Sequence, residues 1–140
     1  MLVRSLCVSS FILLAGCDLS PDSPHGFSLP DGDAAAGQIV FREKQCSSCH
    51  VIEALPDLRS GVEPEMTVRI GGMRTRIATQ GELVSAVINP SHKIARAYNR
   101  EPYVGDGGSA MRTVNESLTV AELIDLIAFL QGQYEEFPDY

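Results

Sequence analysis

The sequence predicts a single, mainly α-helical domain, and three observations support this prediction. The chain has 140 residues, 44% of them hydrophobic and 21% charged, which suits one small core better than two. Apolar residues recur at helical spacing in three segments. Each segment follows a residue type that commonly caps a helix, namely Asp33, Thr79 and Thr119. We therefore expect three helices around one core.

The N-terminus predicts an exported protein. In residues 1–16, Arg4 precedes an apolar stretch that is too short to span a bilayer, and small residues follow it. We predict a signal peptide there, with a plain cleavage near Gly16 as the alternative to lipidation. The residues up to Cys17 resemble the bacterial lipoprotein signal, in which the cysteine becomes the acylated first residue of the mature chain.

Residues 17–32 are predicted to be a lipid-anchored flexible linker, because they are rich in Asp, Ser, Pro and Gly and have little to bury. His25 is interpreted as a solvated linker residue. Asp18 resembles the residue that retains some lipoproteins in the inner membrane. We therefore expect the protein in the bacterial cell envelope, on the periplasmic face of the inner membrane.

The charge of the chain argues against a nucleic-acid partner. Removing residues 1–16 removes Arg4 and no acidic residue, so 11 basic and 18 acidic residues become 10 and 18, a formal charge of −8. The middle of the chain, from Arg59 to Arg100, is basic by comparison, with seven basic and three acidic residues. Its arginines are interpreted as a docking surface, as solvated side chains or as partners of the carboxylates of a bound group.

The first predicted helix begins after Asp33 and leads into Cys46-Ser47-Ser48-Cys49-His50. Two thiols separated by two residues can each bond one vinyl group of a haem, and the histidine that follows then lies beneath the iron. A structural zinc site needs four ligands, and the sequence has no second cysteine pair. A dithiol redox pair would be expected after a strand rather than a helix. The motif therefore predicts one haem c, attached at Cys46 and Cys49 and ligated by His50.

Two further elements are predicted between this motif and the last helix. The alternating residues from Met66 to Ala78, around Gly71-Gly72, indicate a β-hairpin. The Thr79–Glu82 capping box predicts a helix that ends before Pro90. The segment from Tyr98 to Gly108 is predicted to be an irregular loop.

The C-terminal helix is predicted from a second capping box, Thr119 with Glu122, followed by leucine and isoleucine at helical spacing. We expect it to end at Gln131 or Gln133. Its apolar face is expected to close the core.

Taken together, residues 33–134 resemble the class I cytochrome c family, and residues 135–140 form a C-terminal tail. The segment with Gly37 and Phe41 is similar to the family's N-terminal helix, which crosses the C-terminal helix, where Phe129 is the natural partner. The resemblance implies a cytochrome c-like helical fold around one covalently bound haem. The predicted β-hairpin is then an insertion between the CxxCH motif and the loop that carries the distal methionine.

The resemblance also implies roles for two more residues. Pro56 corresponds to the proline whose carbonyl accepts a hydrogen bond from Nδ1 of the haem histidine, here His50. Met111 corresponds to the sixth iron ligand, although Arg112 stands where the family usually has a proline. Met66, Met73 and His92 are the alternative ligands, and an open sixth position is the remaining one.

An iron with both axial positions filled exchanges electrons without binding a substrate, so the leading hypothesis is an electron carrier, not an enzyme, that serves redox protein partners. Two alternatives stay open. The protein is a haem subunit of a larger periplasmic oxidoreductase complex, or it is a haem enzyme or sensor that binds a small ligand at an open distal site.

Overall fold

The computed structural model describes residues 27–73 and 79–135, and helices dominate them. The three helices are α1 (Ala34–Glu43), α2 (Gln80–Ile88) and α3 (Val120–Gln131). Short 3₁₀ helices lie at Cys46–Ser48, Pro56–Arg59, Pro90–His92 and Arg96–Tyr98. The mainly α-helical prediction is confirmed. No helix among the described residues has both the length and the apolar character needed to cross a bilayer. The predictions for Cys17 and His25 lie outside the described residues.

All three predicted helix starts are confirmed by their caps. The Asp33 carboxylate accepts hydrogen bonds from the backbone N–H groups of Ala35 (2.8 Å) and Ala36 (3.2 Å). At α2, the backbone N–H of Glu82 donates to the Thr79 hydroxyl at 3.2 Å. These side chains satisfy N–H groups that a helix cannot pair internally.

The cap of α3 is a complete capping box. The Glu122 N–H donates to the Thr119 hydroxyl at 3.1 Å, and the Thr119 N–H donates to the Glu122 carboxylate at 2.6 Å. The same carboxylate pairs with the Lys44 ammonium at 3.1 Å, just beyond the end of α1. The hydrogen bond from the Thr119 backbone, and then the one from Lys44, lower the pKa of Glu122 to about 2. This carboxylate therefore caps α3 and joins it to α1.

Helices α1 and α3 cross in close contact at Gly37, as predicted. A Cβ atom at Gly37 would overlap the carbonyl oxygen of Asp125 and lie 2.8 Å from the Cβ of Phe129. One turn further along α1, Phe41 meets Phe129 with ring centroids 5.6 Å apart, and both rings are buried. Because glycine has no side chain, the two backbones approach closely enough for these aromatic rings to pack.

The core continues from this crossing to α2 and to the segment after the CxxCH motif. Its buried apolar residues come from all three helices, from Ile52 just after the CxxCH motif and from Leu58 in the 3₁₀ helix Pro56–Arg59. They are Val40, Phe41, Ile52, Leu58, Leu83, Val84, Val87, Leu126, Ile127, Phe129 and Leu130.

The predicted β-hairpin around Gly71-Gly72 is wrong for the described residues. Strand β1 (His50–Ile52) pairs in parallel with β2 (Val68–Ile70), and β3 (Gly72–Met73) pairs in parallel with β6 (Tyr134–Glu135). Strands β2 and β3 therefore take different partners instead of pairing with each other. Residues 74–78, which were to form the second arm, lie outside the described residues.

The two glycines serve a close approach to the end of α3 instead of a turn. Gly71 has a φ of +86°, and a Cβ atom there would lie 2.5 Å from the carbonyl oxygen of Gln133. The N–H of Gly72 donates to that same oxygen at 2.9 Å. The Gly-Gly pair thus brings the middle of the chain against its C-terminal end.

A hairpin does form later, in the segment predicted to be an irregular loop. Strand β4 (Val104–Gly105) pairs antiparallel with β5 (Gly108–Ser109) across Asp106-Gly107, and Gly107 has a φ of +95°. The Asp-Gly dipeptide is a typical signal for a two-residue hairpin turn, and it was available in the sequence. The hairpin leads directly to Met111.

The glycine contact predicts the effect of Gly37→Ala. The added methyl group has no space against the Asp125 carbonyl, so we expect a loss of about 2 kcal/mol or more in the free energy of unfolding. Gly105→Ala is the matched control, since nothing lies within 4 Å of a Cβ atom there and its φ is not positive. Urea unfolding of both variants measures the difference, and equal stability of the two would contradict the proposed contact.

Candidate functional site

One cavity brings together the residues that the sequence singled out. It has a volume of about 250 Å³ and lies between the three helices, the β1–β2 pair and the segment that follows the β4–β5 hairpin. Cys46, Cys49, His50, Met66 and Met111 all line it. Most of its other walls are apolar and come from Phe41, Val68, Ile70, Leu83, Ala86, Val87, Ile94, Val114, Leu118, Leu126 and Leu130.

The attachment loop, residues 45–50, is shaped by a sharp change of direction after α1. Gln45 has left-handed backbone angles, with a φ of 57°, and the 3₁₀ turn Cys46–Ser48 follows it. His50 then begins β1 and pairs with Val68 of β2. Both cysteines are free thiols. The loop therefore holds two thiols and one imidazole at the wall of a single cavity.

The protonation states of these groups suit covalent attachment and metal ligation. Burial raises the pKa of the Cys46 thiol to about 11, so this thiol is protonated at neutral pH. Burial also lowers the pKa of His50, and the charge of Arg59 acts in the same direction, while the Val68 backbone opposes the shift. The imidazole is therefore neutral at pH 7, the form that offers a lone pair to iron.

The predicted contact between Pro56 and His50 is not formed in this structure. Pro56 is exposed, begins a 3₁₀ helix and does not line the cavity. The Nδ1 atom of His50 is buried and has no hydrogen-bond partner among the described residues. Two free thiols and a neutral imidazole at the wall of one mainly apolar cavity fit a covalently attached haem. The orientation of His50 by Pro56 stays a prediction.

The structure separates the four candidates for the sixth ligand into two pairs. Met66 and Met111 line the cavity, whereas Met73 is 63% exposed and lies outside its lining. His92 is also exposed and outside it, and its Nδ1 lies 2.7 Å from the Asn89 carbonyl oxygen. Only the first pair therefore lies where a ligand would be needed.

Met66 and Met111 line the cavity from two segments that are distant in the sequence. The backbone around Met66 runs along the attachment loop, since Glu65 N–H donates to the Ser48 carbonyl at 2.9 Å and Val68 N–H to that of Cys49 at 2.8 Å. Met111 arrives from the β4–β5 hairpin, remote in sequence. The segment that carries Met66 is therefore hydrogen-bonded along the attachment loop, whereas Met111 lies on the segment that follows the β4–β5 hairpin.

Arg59 is a structural residue of the site that sequence reasoning missed. Its guanidinium donates to the carbonyls of Ser47 (2.9 Å), Ser48 (3.3 Å) and Met66 (2.6 Å), and to the Thr67 hydroxyl (3.2 Å). This group therefore ties the attachment loop to the strand that follows Met66. Its spacing in the sequence does not distinguish Arg59 from the other arginines of the basic middle region.

Two tyrosines of the predicted irregular loop also belong to the site. The rings of Tyr98 and Tyr103 meet edge to face with centroids 4.9 Å apart, and both line the cavity. The Tyr98 hydroxyl accepts a hydrogen bond from the Arg69 backbone at 3.1 Å, which links this loop to β2. Sequence reasoning missed them because their partners are remote in the chain.

Nothing among the described residues supports the zinc alternative. Residues 27–73 and 79–135 contain no group of three or more His, Cys, Asp or Glu side chains placed to hold a metal ion. Zinc in a structural site requires four such ligands. The described residues therefore do not form a structural zinc site.

The four hydrogen bonds of Arg59 predict the effect of Arg59→Lys. A lysine ammonium cannot reproduce the guanidinium fork, so buried carbonyls lose their donors, and we expect a loss of about 2–3 kcal/mol in unfolding free energy. Arg100→Lys is the control, because Arg100 is exposed and outside the cavity lining. Denaturant unfolding of the two variants tests this prediction. A loss of less than about 0.5 kcal/mol in the unfolding free energy of Arg59→Lys would contradict a stabilising role for these hydrogen bonds.

Comparison with known proteins agrees with this geometry. The family model described as "Cytochrome c" matches residues 34–133. Searches of curated proteins and of solved structures gave no significant match. Members of this family bind covalently attached haem c through a CxxCH motif, which in this chain is Cys46–His50, and the domain is typical of electron carriers. The match covers most of the chain, and the chain therefore belongs to the cytochrome c family.

Proposed function

We propose that this protein is a monohaem electron carrier in which His50 and Met111 are the axial ligands of the iron. One observation carries the proposal: Met111 lines the same cavity as Cys46, Cys49 and His50, although its segment is remote from theirs in the sequence. Met66 lines the cavity as well. The family resemblance favours Met111, because its segment lies shortly before the C-terminal helix.

The protein residues define how the site works. When bound, the haem supplies a one-electron change between ferric and ferrous iron. His50 would offer a neutral imidazole and Met111 a thioether to the iron, and two such protein ligands would leave no iron position for a substrate. The apolar side chains of α2 and α3 exclude water from the cavity and so limit the reorganisation that accompanies a change in charge. A methionine ligand also favours the ferrous state relative to a second histidine.

Electron transfer requires protein partners, and they would meet the charged side chains on the described part of the surface. Arg69 pairs with Glu53 at 2.7 Å and Lys93 with Glu82 at 3.4 Å, and these side chains are exposed except for Glu82, which is partly buried. Two cations of the basic middle region are therefore neutralised locally. We infer transient, charge-steered contacts with redox partners, either as a free carrier or as the haem subunit of a larger oxidoreductase complex.

For location, we propose that residues 1–16 are removed and that Cys17 carries the lipid that anchors the domain to the periplasmic face of the inner membrane. The support is the signal-like sequence and the export that haem attachment through CxxCH requires. Residues 17–32 would then be the tether between the lipid and the domain.

The ligand assignment predicts a spectroscopic loss in Met111→Ala. The ferric wild-type protein should show the weak near-infrared band of methionine-to-iron charge transfer, and this variant should lack it because no thioether remains in that position. The variant should also bind carbon monoxide in the ferrous state, which the wild type should do poorly.

Met66→Ala is the matched control, since it removes the other methionine that lines the cavity. It should retain the near-infrared band. Retention of the band in Met111→Ala together with its loss in Met66→Ala would reverse the assignment. A wild type that lacks the band and binds carbon monoxide readily would favour a ligand-binding haem protein over a carrier.

The anchor predicts the behaviour of Cys17→Ser. Without the thiol no acyl group can be attached, so the variant should move from the membrane fraction to the soluble periplasmic fraction. Cys7→Ser is the matched control, because Cys7 lies within the predicted signal peptide and should not change the location. Fractionation of cells that express both variants measures this, and membrane retention of Cys17→Ser would contradict lipidation.

A further inference from the structure

The residue after Met111 makes an unusual set of contacts with the attachment loop. The Arg112 guanidinium donates to the hydroxyl of Ser48 at 2.6 Å and to the side-chain carbonyl of Gln45 at 3.3 Å. It also pairs with the Glu65 carboxylate at 3.3 Å. These partners are 47 to 67 residues away in the chain. Arg112 therefore joins the methionine segment directly to the segment that carries the thiols and His50.

The partners of Arg112 form a closed network. Ser48 lies between the two cysteines, is 7% exposed, and its hydroxyl donates in turn to the Gln45 backbone carbonyl at 3.0 Å. Gln45 is the residue with left-handed backbone angles that turns the chain from α1 into the attachment loop. Arg112 thus holds both Ser48, between the two cysteines, and Gln45, the residue at which the loop begins.

Met111 needs such a tether because its own segment has no regular structure. Residues 110–114 are neither helix nor strand. On the N-terminal side, Ala110 N–H donates to the Tyr103 carbonyl at 2.9 Å and Met111 N–H to the Ser109 hydroxyl at 3.2 Å. These bonds connect Met111 to the β4–β5 hairpin. On the C-terminal side, the described long-range contact next to Met111 is the side chain of Arg112.

We propose that Arg112 is a positioning residue for the sixth ligand, which it holds in register with His50 by tying the Met111 segment to Ser48 and Gln45. This inference rests on the proposed ligation by Met111. Arg112 would act through its shape, because the planar guanidinium donates several hydrogen bonds in fixed directions, which a lysine cannot reproduce. The fixed charge is a separate effect, and the variants below separate the two.

The test uses the haem-loaded protein and three substitutions. Arg112→Lys keeps the positive charge but removes the planar guanidinium. Ser48→Ala keeps Arg112 and removes the closest acceptor of its guanidinium. Arg112→Gln removes both the charge and the guanidinium. Arg100→Gln is the matched control for loss of one exposed arginine. Because a charge-assisted hydrogen bond is lost, cyanide should bind the ferric form about fivefold to tenfold faster in the first three variants than in the wild type.

Two further readouts distinguish positioning from general stability. In urea, the near-infrared band of Arg112→Lys and Ser48→Ala should disappear at a lower concentration than the helical circular dichroism, whereas in the wild type the two should be lost closer together. The double variant Arg112→Lys/Ser48→Ala should bind cyanide more slowly than the product of the two single effects predicts, because both changes break the contact between Arg112 and Ser48. The reduction potential should fall most in Arg112→Gln, which alone loses the cation.

If Arg112→Lys and Ser48→Ala both bind cyanide at the wild-type rate, the positioning role is overturned, while Met111 stays the proposed ligand. If the cyanide-binding rate changes in Arg112→Gln alone, Arg112 acts only through its charge. Retention of the near-infrared band in Met111→Ala would overturn the ligation on which it rests. If Arg112→Gln does not bind haem, the cyanide-binding rate of Ser48→Ala still tests the positioning role, because that variant removes one hydroxyl and no charge.

Discussion

The close contact of α1 with α3 at Gly37 is the constraint on which the rest of the structure depends. It sets the direction of α1, and α1 delivers the chain into the attachment loop at one wall of the cavity. The same contact places Phe41 against Phe129, while neighbouring side chains of α3, Leu126 and Leu130, form another wall. A wider crossing would therefore separate the thiols from the apolar surface that the haem requires.

The attachment loop depends on polar contacts for its shape, because few of its residues can pack in an apolar core. Arg59 satisfies backbone carbonyls of the loop, and Arg112 bonds the hydroxyl of Ser48. The two arginines come from segments on opposite sides of α2 in the sequence. Guanidinium groups suit this role, since each offers several donors in one plane. The buried Ser47 and Ser48 leave space for these contacts.

The helices were predictable because their signals are local. Asp33, Thr79 and Thr119 cap helices within three residues of their own position, so neighbouring sequence was sufficient. The strands were not predictable in this way, because the alternation around Gly71 specifies extended chain but not its partner. That partner is the end of α3, more than sixty residues away. The Asp106-Gly107 dipeptide is a local signal for the β4–β5 hairpin, and the prediction of an irregular loop there did not take it into account.

The chemistry of the site follows from the CxxCH motif, which places two thiols and an imidazole within five consecutive residues whatever the rest of the chain does. Which methionines reach the cavity, and which arginines support it, depends on how the whole chain packs. Met73 and Met111 are equally plausible ligands by residue type, and one is exposed while the other lines the cavity. The physical reason is that ligation and hydrogen bonding depend on distances between segments remote in the chain, and those distances are set by packing.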